Sequence, residues 1–123
     1  MARFVYFNRN PDGERESDCV TRAISLATGI EYPEIRKKLF HISKLYGCPR
    51  LTLCCYSHLL DDVLKLERVS GEGMSVGEFA DAYPCGTYLV RMGGHISTIV
   101  DNCIYDIWDC RREWVTDAWR VGY

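Results

Sequence analysis

Three side chains in this sequence have the types and the order that acyl-transfer chemistry needs: Cys19, His95 and Asp106. A thiol attacks a carbonyl only as thiolate, so it requires a base within hydrogen-bond reach and surroundings that lower its pKa. Cys19 begins an apolar-periodic segment just behind Ser17 and Asp18, either of which is a good helix N-cap. At a helix N-terminus a thiolate faces the positive end of the dipole, and the N–H groups there suit a developing oxyanion. His95 follows Gly93-Gly94, two residues without side chains that leave room for a substrate backbone beside the imidazole. The imidazole takes the thiol proton and returns it to the leaving group, while a carboxylate fixes its tautomer. Singly, each residue has a plainer reading, Cys19 as a small core residue and His95 as a structural histidine at a turn. Their combination carries the expectation.

The choice of carboxylate depends on strand register. If Asp101-Asn102 is a two-residue hairpin turn, Val100 pairs with Cys103 and Ile99 with Ile104, so Ser97 faces Asp106 and His95 faces Trp108. Side chains alternate between faces, which puts His95, Ser97, Asp106 and Trp108 together and makes Asp106 a diagonal neighbour of His95. Asp109 points to the opposite face in this register. A one-residue change in the loop exchanges the two aspartates, so Asp109 stands as the alternative. Asp101 is most simply a turn former.

Elements that position these groups are legible along the chain. Phe4 to Phe7 reads as an opening strand and Asn10-Pro11-Asp12-Gly13 as a turn. The helix at Cys19 has an apolar stripe of Val20, Ala23, Ile24 and Ala27, an Asp18/Arg22 pair four residues apart, and a stop at Gly29. Pro33 opens a second helix lined by Ile35, Leu39, Ile42 and Tyr46, and Gly47 ends it. A third follows Thr52 with Leu53, Tyr56, Leu60 and Val63 facing inward. A fourth carries the capping box Ser75-Val76-Gly77-Glu78. From Gly86 the pattern turns to strands over Thr87–Met92, His95–Val100 and Cys103–Trp108, and a last strand includes Trp119 to Val121. Helices followed by an antiparallel meander give an α+β fold in one domain spanning residues 1–123.

Composition excludes some classes. Hydrophobic residues at 47% and charged residues at 26% are ordinary for a globular chain, and a net charge of −2 gives no basic face for nucleic acid. No apolar run reaches membrane-spanning length, and Met1 to Phe7 is too short and polar for a signal sequence. Seven cysteines without a Cys-x-x-Cys pair then read as reduced thiols in a cytoplasm, a host cytoplasm if the chain is phage-encoded. Cys54 and His58 stand four apart on the third helix, with Cys55 beside them. Two or three ligands fall short of the four a structural zinc needs, so no metal site is expected. His41 reads as packing beside the apolar stripe of the second helix.

Asp18-Cys19-Val20-Thr21-Arg22-Ala23, Gly94-His95 and Tyr105-Asp106-Ile107-Trp108 together resemble the papain-like cysteine peptidases, in particular their compact phage and bacterial members. In that fold a catalytic cysteine begins the central helix, and histidine and Asp/Asn lie on adjacent strands of a following sheet. The resemblance implies a cysteine hydrolase of peptidase or amidase type, with Cys19 as nucleophile, His95 as general base and acid, and Asp106 as orienting group. A peptide or protein substrate and no organic or metal cofactor go with it. Relatives place a glutamine before the cysteine as an oxyanion donor. This sequence contains no glutamine, so Asn10, or failing that Asn8, is the nearest amide to take that place. A protein of this fold that binds a partner without catalysis is the alternative, and exposed aromatics among Trp114, Trp119 and Tyr123 would favour it.

Overall fold

The structure is a computed structural model that describes residues 1–13 and 18–121, so Ser17 and Tyr123 lie outside the described residues. Four helices pack against one six-stranded mixed sheet, which makes the fold α+β. The strands are β1 (Arg3–Tyr6), β2 (Glu67–Arg68), β3 (Thr87–Met92), β4 (His95–Val100), β5 (Cys103–Asp106) and β6 (Val115–Val121). The helices are α1 (Cys19–Thr28), α2 (Tyr32–Tyr46), α3 (Leu53–Ser57), which runs on as a π-helical segment His58–Val63, and α4 (Val76–Ala82).

Strand order is β1-β5-β4-β3-β6-β2. The hairpin β4–β5 has the expected register, with Val100 opposite Cys103, Ile99 opposite Ile104 and Thr98 opposite Tyr105. Asp101 and Asn102 both take positive φ, 47° and 64°, as a two-residue hairpin turn that follows the sheet twist requires. Two features depart from a simple antiparallel meander. β6 returns beside β3 rather than β5, and β1 pairs parallel to β5, Arg3 with Cys103 through Tyr6 with Asp106. Pairing between β3 and β6 shifts at Arg91/Met92, where one strand is bulged.

Both faces of the sheet are covered. One core gathers Val20, Ile24, Ile35, Leu39, Leu59, Leu60, Leu89, Ile96 and Trp119 beneath α1, α2 and α3. The other gathers Val76, Phe79, Val90, Met92, Ile99, Ile104 and Ala118 beneath α4. Val20, Ala23 and Ile24 of the α1 stripe are buried as expected and Ala27 is partly buried against the same core, while the Thr98 hydroxyl donates to the Ala23 carbonyl at 2.7 Å, fixing α1 against β4. In α4 both bonds of the capping box form, Glu78 N–H to Ser75 Oγ at 3.2 Å and Ser75 N–H to Glu78 Oε1 at 2.9 Å.

Three side-chain expectations are corrected. The third helix widens to i→i+5 bonding, seen in Leu64 N–H donating to Leu59 O at 2.8 Å. The wider turn changes the helical phase, so Leu59 is fully buried and Val63 stands exposed. Tyr46 is also exposed, and stacks on the His58 ring at a centroid distance of 3.9 Å. His41 faces outward rather than packing. No helix among the described residues is long and apolar enough to cross a membrane.

Candidate active site

The N-terminus of α1 is brought against the ends of β4 and β5. Cys19 is the first residue of α1, behind Asp18 as N-cap. His95 opens β4 just after the Gly93-Gly94 turn, and Asp106 closes β5, so both side chains project at the same end of the hairpin. His95 Nε2 lies 2.6 Å from Asp106 Oδ2, the contact that the two-residue turn implies. With Nε2 on the carboxylate, Nδ1 is the ring nitrogen left for Cys19, which lines the same cleft and whose ionised form the imidazole favours. Trp108 lies beyond the end of β5, not in the ladder opposite His95. It meets the imidazole edge-on at 5.0 Å between centroids while staying 45% exposed.

Asp106 is 3% exposed and fully engaged. Ser97 Oγ donates to Oδ2 at 2.7 Å, and the Ile107 N–H donates to Oδ1 at 2.7 Å. Arg22 Nη1 donates to Oδ1 at 3.2 Å. The same guanidinium donates through Nε to Asp18 Oδ1 at 2.6 Å, so a buried arginine bridges the helix cap to the triad carboxylate. Asp18 does not cap the helix with its side chain. Its Oδ2 instead accepts from the Tyr32 hydroxyl at 2.6 Å and from Asn10 Nδ2 at 3.0 Å.

These contacts set the ionisation of the site. Burial works against ionising Cys19, but the hydrogen bond with His95, the Ile96 N–H and the charges of His95 and Arg22 prevail and lower the thiol pKa. Burial likewise favours the neutral His95 ring. The bonds to Asp106 and Cys19 overcome it and raise the imidazole from 6.5 to about 9. Burial also opposes the Asp106 carboxylate, yet His95 and Ser97 hold its pKa below the ordinary value. Opposite shifts in neighbouring groups favour a thiolate–imidazolium pair at neutral pH.

A cleft of about 270 Å³ opens in front of the pair, lined by Cys19, Val20, Leu51, Thr52, Leu53, Tyr56, Arg91, Gly94, His95 and Ile96. A larger hollow of about 530 Å³ near Glu78, Asp81, Asp109 and Arg111 shares no residue with it.

The other residues singled out in the sequence are placed elsewhere. Asp109 is exposed and forked by Arg111 at 2.9 and 2.7 Å, away from His95. The Asn10 amide nitrogen is directed at Asp18, with Tyr32 Oη at 3.5 Å, while its oxygen accepts the Asp12 N–H at 2.9 Å. His58 bonds Asp62 at 2.9 Å rather than sharing a ligand with Cys54. Arg22 and Tyr32 had no functional reading in the sequence. An arginine four residues after Asp18 on the helix's buried side was the available signal, but its second partner is 84 residues away.

His95, Asp106 and Cys110 do bring ligand atoms within 4.8 Å of one another. Those donors suit a hydrogen-bonded relay better than a cation. Burial, with the nearby Asp106 charge, pushes the Cys110 thiol up to about 12, and the Arg22 charge already lies against Asp106. Comparison of the chain with protein-family models, curated proteins and solved structures gives no match, so the functional reading rests on the geometry.

Proposed function

We propose that this protein is a compact papain-like cysteine hydrolase of peptidase or amidase type, cleaving an amide or related acyl bond in a peptide or protein. One observation carries the reading: a cysteine at a helix N-terminus lines the same cleft as a histidine whose Nε2 is held 2.6 Å from a buried carboxylate. A nucleophile heading a helix, with base and acid on adjacent antiparallel strands, also supports the papain-like assignment.

In this mechanism the Cys19 thiolate attacks the substrate carbonyl, and the Cys19 backbone N–H at the start of α1 stabilises the oxyanion. The His95 imidazolium gives its proton to the leaving amine. The neutral ring then activates water to hydrolyse the acyl-enzyme. Asp106 holds the Nε2–H tautomer and favours the imidazolium. Ser97 and Arg22 hold Asp106. Asn10, committed to Asp18, supports that carboxylate rather than the oxyanion.

Alkylation by iodoacetamide at neutral pH tests this reading, with the labelled cysteine located by mass spectrometry. Cys19 is expected to react far faster than the exposed Cys54 and Cys85, and His95→Ala should slow it. Equal reactivity at Cys19, Cys54 and Cys85 would sink the proposal. Peptide, isopeptide and muropeptide substrates, with Cys19→Ala as control, then identify the bond.

A second reading, a partner-binding protein with an idle site, draws on Trp114, which is 64% exposed. Trp119 gives it no support, being fully buried beneath Arg68 with its indole N–H on Asp61 at 2.8 Å. Rapid Cys19 alkylation without turnover of any substrate would favour it.

A further inference from the structure

Half of the residues lining the Cys19 cleft are apolar or small: Val20, Leu51, Leu53, Gly94 and Ile96. Besides Cys19 and His95, the polar lining residues are Thr52, Tyr56 and Arg91, none of them used by the acyl-transfer steps above, and Arg91 and Tyr56 are the two with strong donors. Arg91 lies directly across the ladder from Ile96, one register step from the Met92–His95 pair, so it stands on the Ile96 face at the mouth of the site. Tyr56 is 4% exposed and lines the same cleft, near enough for the Arg91 charge to act on its phenol.

The guanidinium is firmly held. Its Nη1 donates to Thr116 Oγ1 at 3.0 Å and to Asp117 Oδ2 at 3.0 Å, and the Thr116 hydroxyl donates back to the Arg91 carbonyl at 3.1 Å. These side-chain anchors use one nitrogen and leave the other N–H groups for the cleft that Arg91 and Tyr56 line. Asp117 does not belong to Arg91 alone, since its other oxygen accepts Arg68 Nη1 at 3.0 Å. Arg68 in turn forks onto Asp61 at 3.1 and 2.9 Å. Arg91 is therefore oriented by a carboxylate that it shares with a second arginine. Burial keeps the Tyr56 phenol protonated, with its pKa pushed up to about 12, so it remains a donor at neutral pH. A fixed fork of guanidinium donors beside a phenolic O–H matches a planar carboxylate. A cleft of about 270 Å³ admits a short segment rather than a long one.

We propose that Arg91 and Tyr56 form a specificity subsite for a substrate carboxylate adjacent to the bond that Cys19 attacks, making the substrate class acidic peptides or acyl-amino acids. This inference rests on the reading of Cys19 as the nucleophile. The chemistry at the sulfur is unchanged by it, and Arg91 selects which acyl group is presented there.

The test is a pair of alkylating probes, N-iodoacetyl-β-alanine and its neutral carboxamide. With each, the Cys19 thiolate forms a C–S bond as the C–I bond breaks and iodide leaves. Second-order rate constants at Cys19 are measured for the wild-type chain and for Arg91→Met, Arg91→Lys and Tyr56→Phe. The wild-type chain is expected to favour the charged probe by about tenfold, the scale of one charge-assisted hydrogen bond. In Arg91→Met that preference should fall to near one while the neutral probe reacts at the wild-type rate. Arg91→Lys should keep part of it, and Tyr56→Phe should reduce it severalfold. An unchanged preference in Arg91→Met overturns the subsite, as does an equal slowing of both probes, which marks Arg91 as a purely structural strut. If neither probe labels Cys19 ahead of the other cysteines, the nucleophile reading fails first and the subsite falls with it.

Discussion

Replacing Arg22 by Met probes the charge network behind the triad. Methionine keeps an unbranched chain of similar reach, so packing on α1 is largely retained while the cation is lost. Arg22 is 6% exposed and stands between two carboxylates that are also buried, Asp18 at 2.6 Å and Asp106 at 3.2 Å. Removing one partner of a buried ion pair typically costs about 3–5 kcal/mol, because the remaining charge is left desolvated and unpaired. Against a total stability of about 5–15 kcal/mol for a domain, that is a large loss. Its pH dependence identifies its origin. In the parent chain burial raises the pKa of both aspartates, but their partners prevail and hold them low, so their contribution is present at neutral pH and is lost on acidification. In Arg22→Met Asp106 keeps His95 and Ser97, but Asp18 loses its cation and is expected to have a raised pKa, so its penalty is present at neutral pH and is relieved as it takes up a proton. Urea unfolding at pH 7 and pH 5 should therefore show a deficit of several kcal/mol that narrows at the lower pH. The double variant Asp18→Asn/Arg22→Met should lose less than the sum of the single changes. A deficit below about 1 kcal/mol, as for an exposed pair, would refute the reasoning, and so would one indifferent to pH.

The remaining predictions concern the triad and the turn that sets it. Asp106→Asn removes the charge that raises His95, so the imidazole titration, followed by NMR, should move down from about 9 and Cys19 alkylation should slow. Because the folded-state pKa of His95 is raised from 6.5 to about 9, its contribution to stability is complete below the lower value. That contribution disappears as pH rises through the upper value, and His95→Ala should flatten this alkaline loss in urea titrations. Hydrolysis of any true substrate should also fade as pH rises through the same range, because the leaving group needs the imidazolium proton. Asn102→Val forces a β-branched residue to φ 64°, with an expected cost of about 1–2 kcal/mol and slower Cys19 labelling, whereas Asn102→Gly should be tolerated in both assays.

How much of this was legible in the sequence depends on how far apart the interacting residues stand. The His95–Asp106 contact follows from a two-residue turn and the alternation of strands, both local properties, and the structure has that register. The start of α1 at Cys19 and the capping box of α4 are equally local. Long-range pairings carry no comparable signal. Nothing in Phe4 to Phe7 says that β1 joins β5 in parallel, or that β6 crosses to the far side of β3. Arg22 is legible as a partner of Asp18 along one helix, but its bond to Asp106 appears only once α1 is laid against the sheet. The outward turn of Val63 reflects π-helical bonding, which overrides the 3.6-residue period on which the stripe was drawn. Nearness in sequence to Cys19 points to Asn10 as an oxyanion donor. Its amide nitrogen instead meets the Asp18 carboxylate, a stronger acceptor than any neutral group nearby.

The parallel pairing of β1 with β5 has a consequence for the protein's synthesis. Arg3 finds its partner at Cys103, and the hairpin that carries His95 and Asp106 lies in the last third of the chain. Strand pairing over such separations is slow and forms only after the intervening residues have been made. Cys19 leaves the ribosome before the hairpin does, so on the proposed function no base or acid exists for it until the hairpin follows. The nascent chain therefore carries an ordinary thiol until the hairpin emerges. On the proposed function its reactivity is switched on by completion of the sheet, so the thiol is harmless to its own unfolded chain while that chain is still being made.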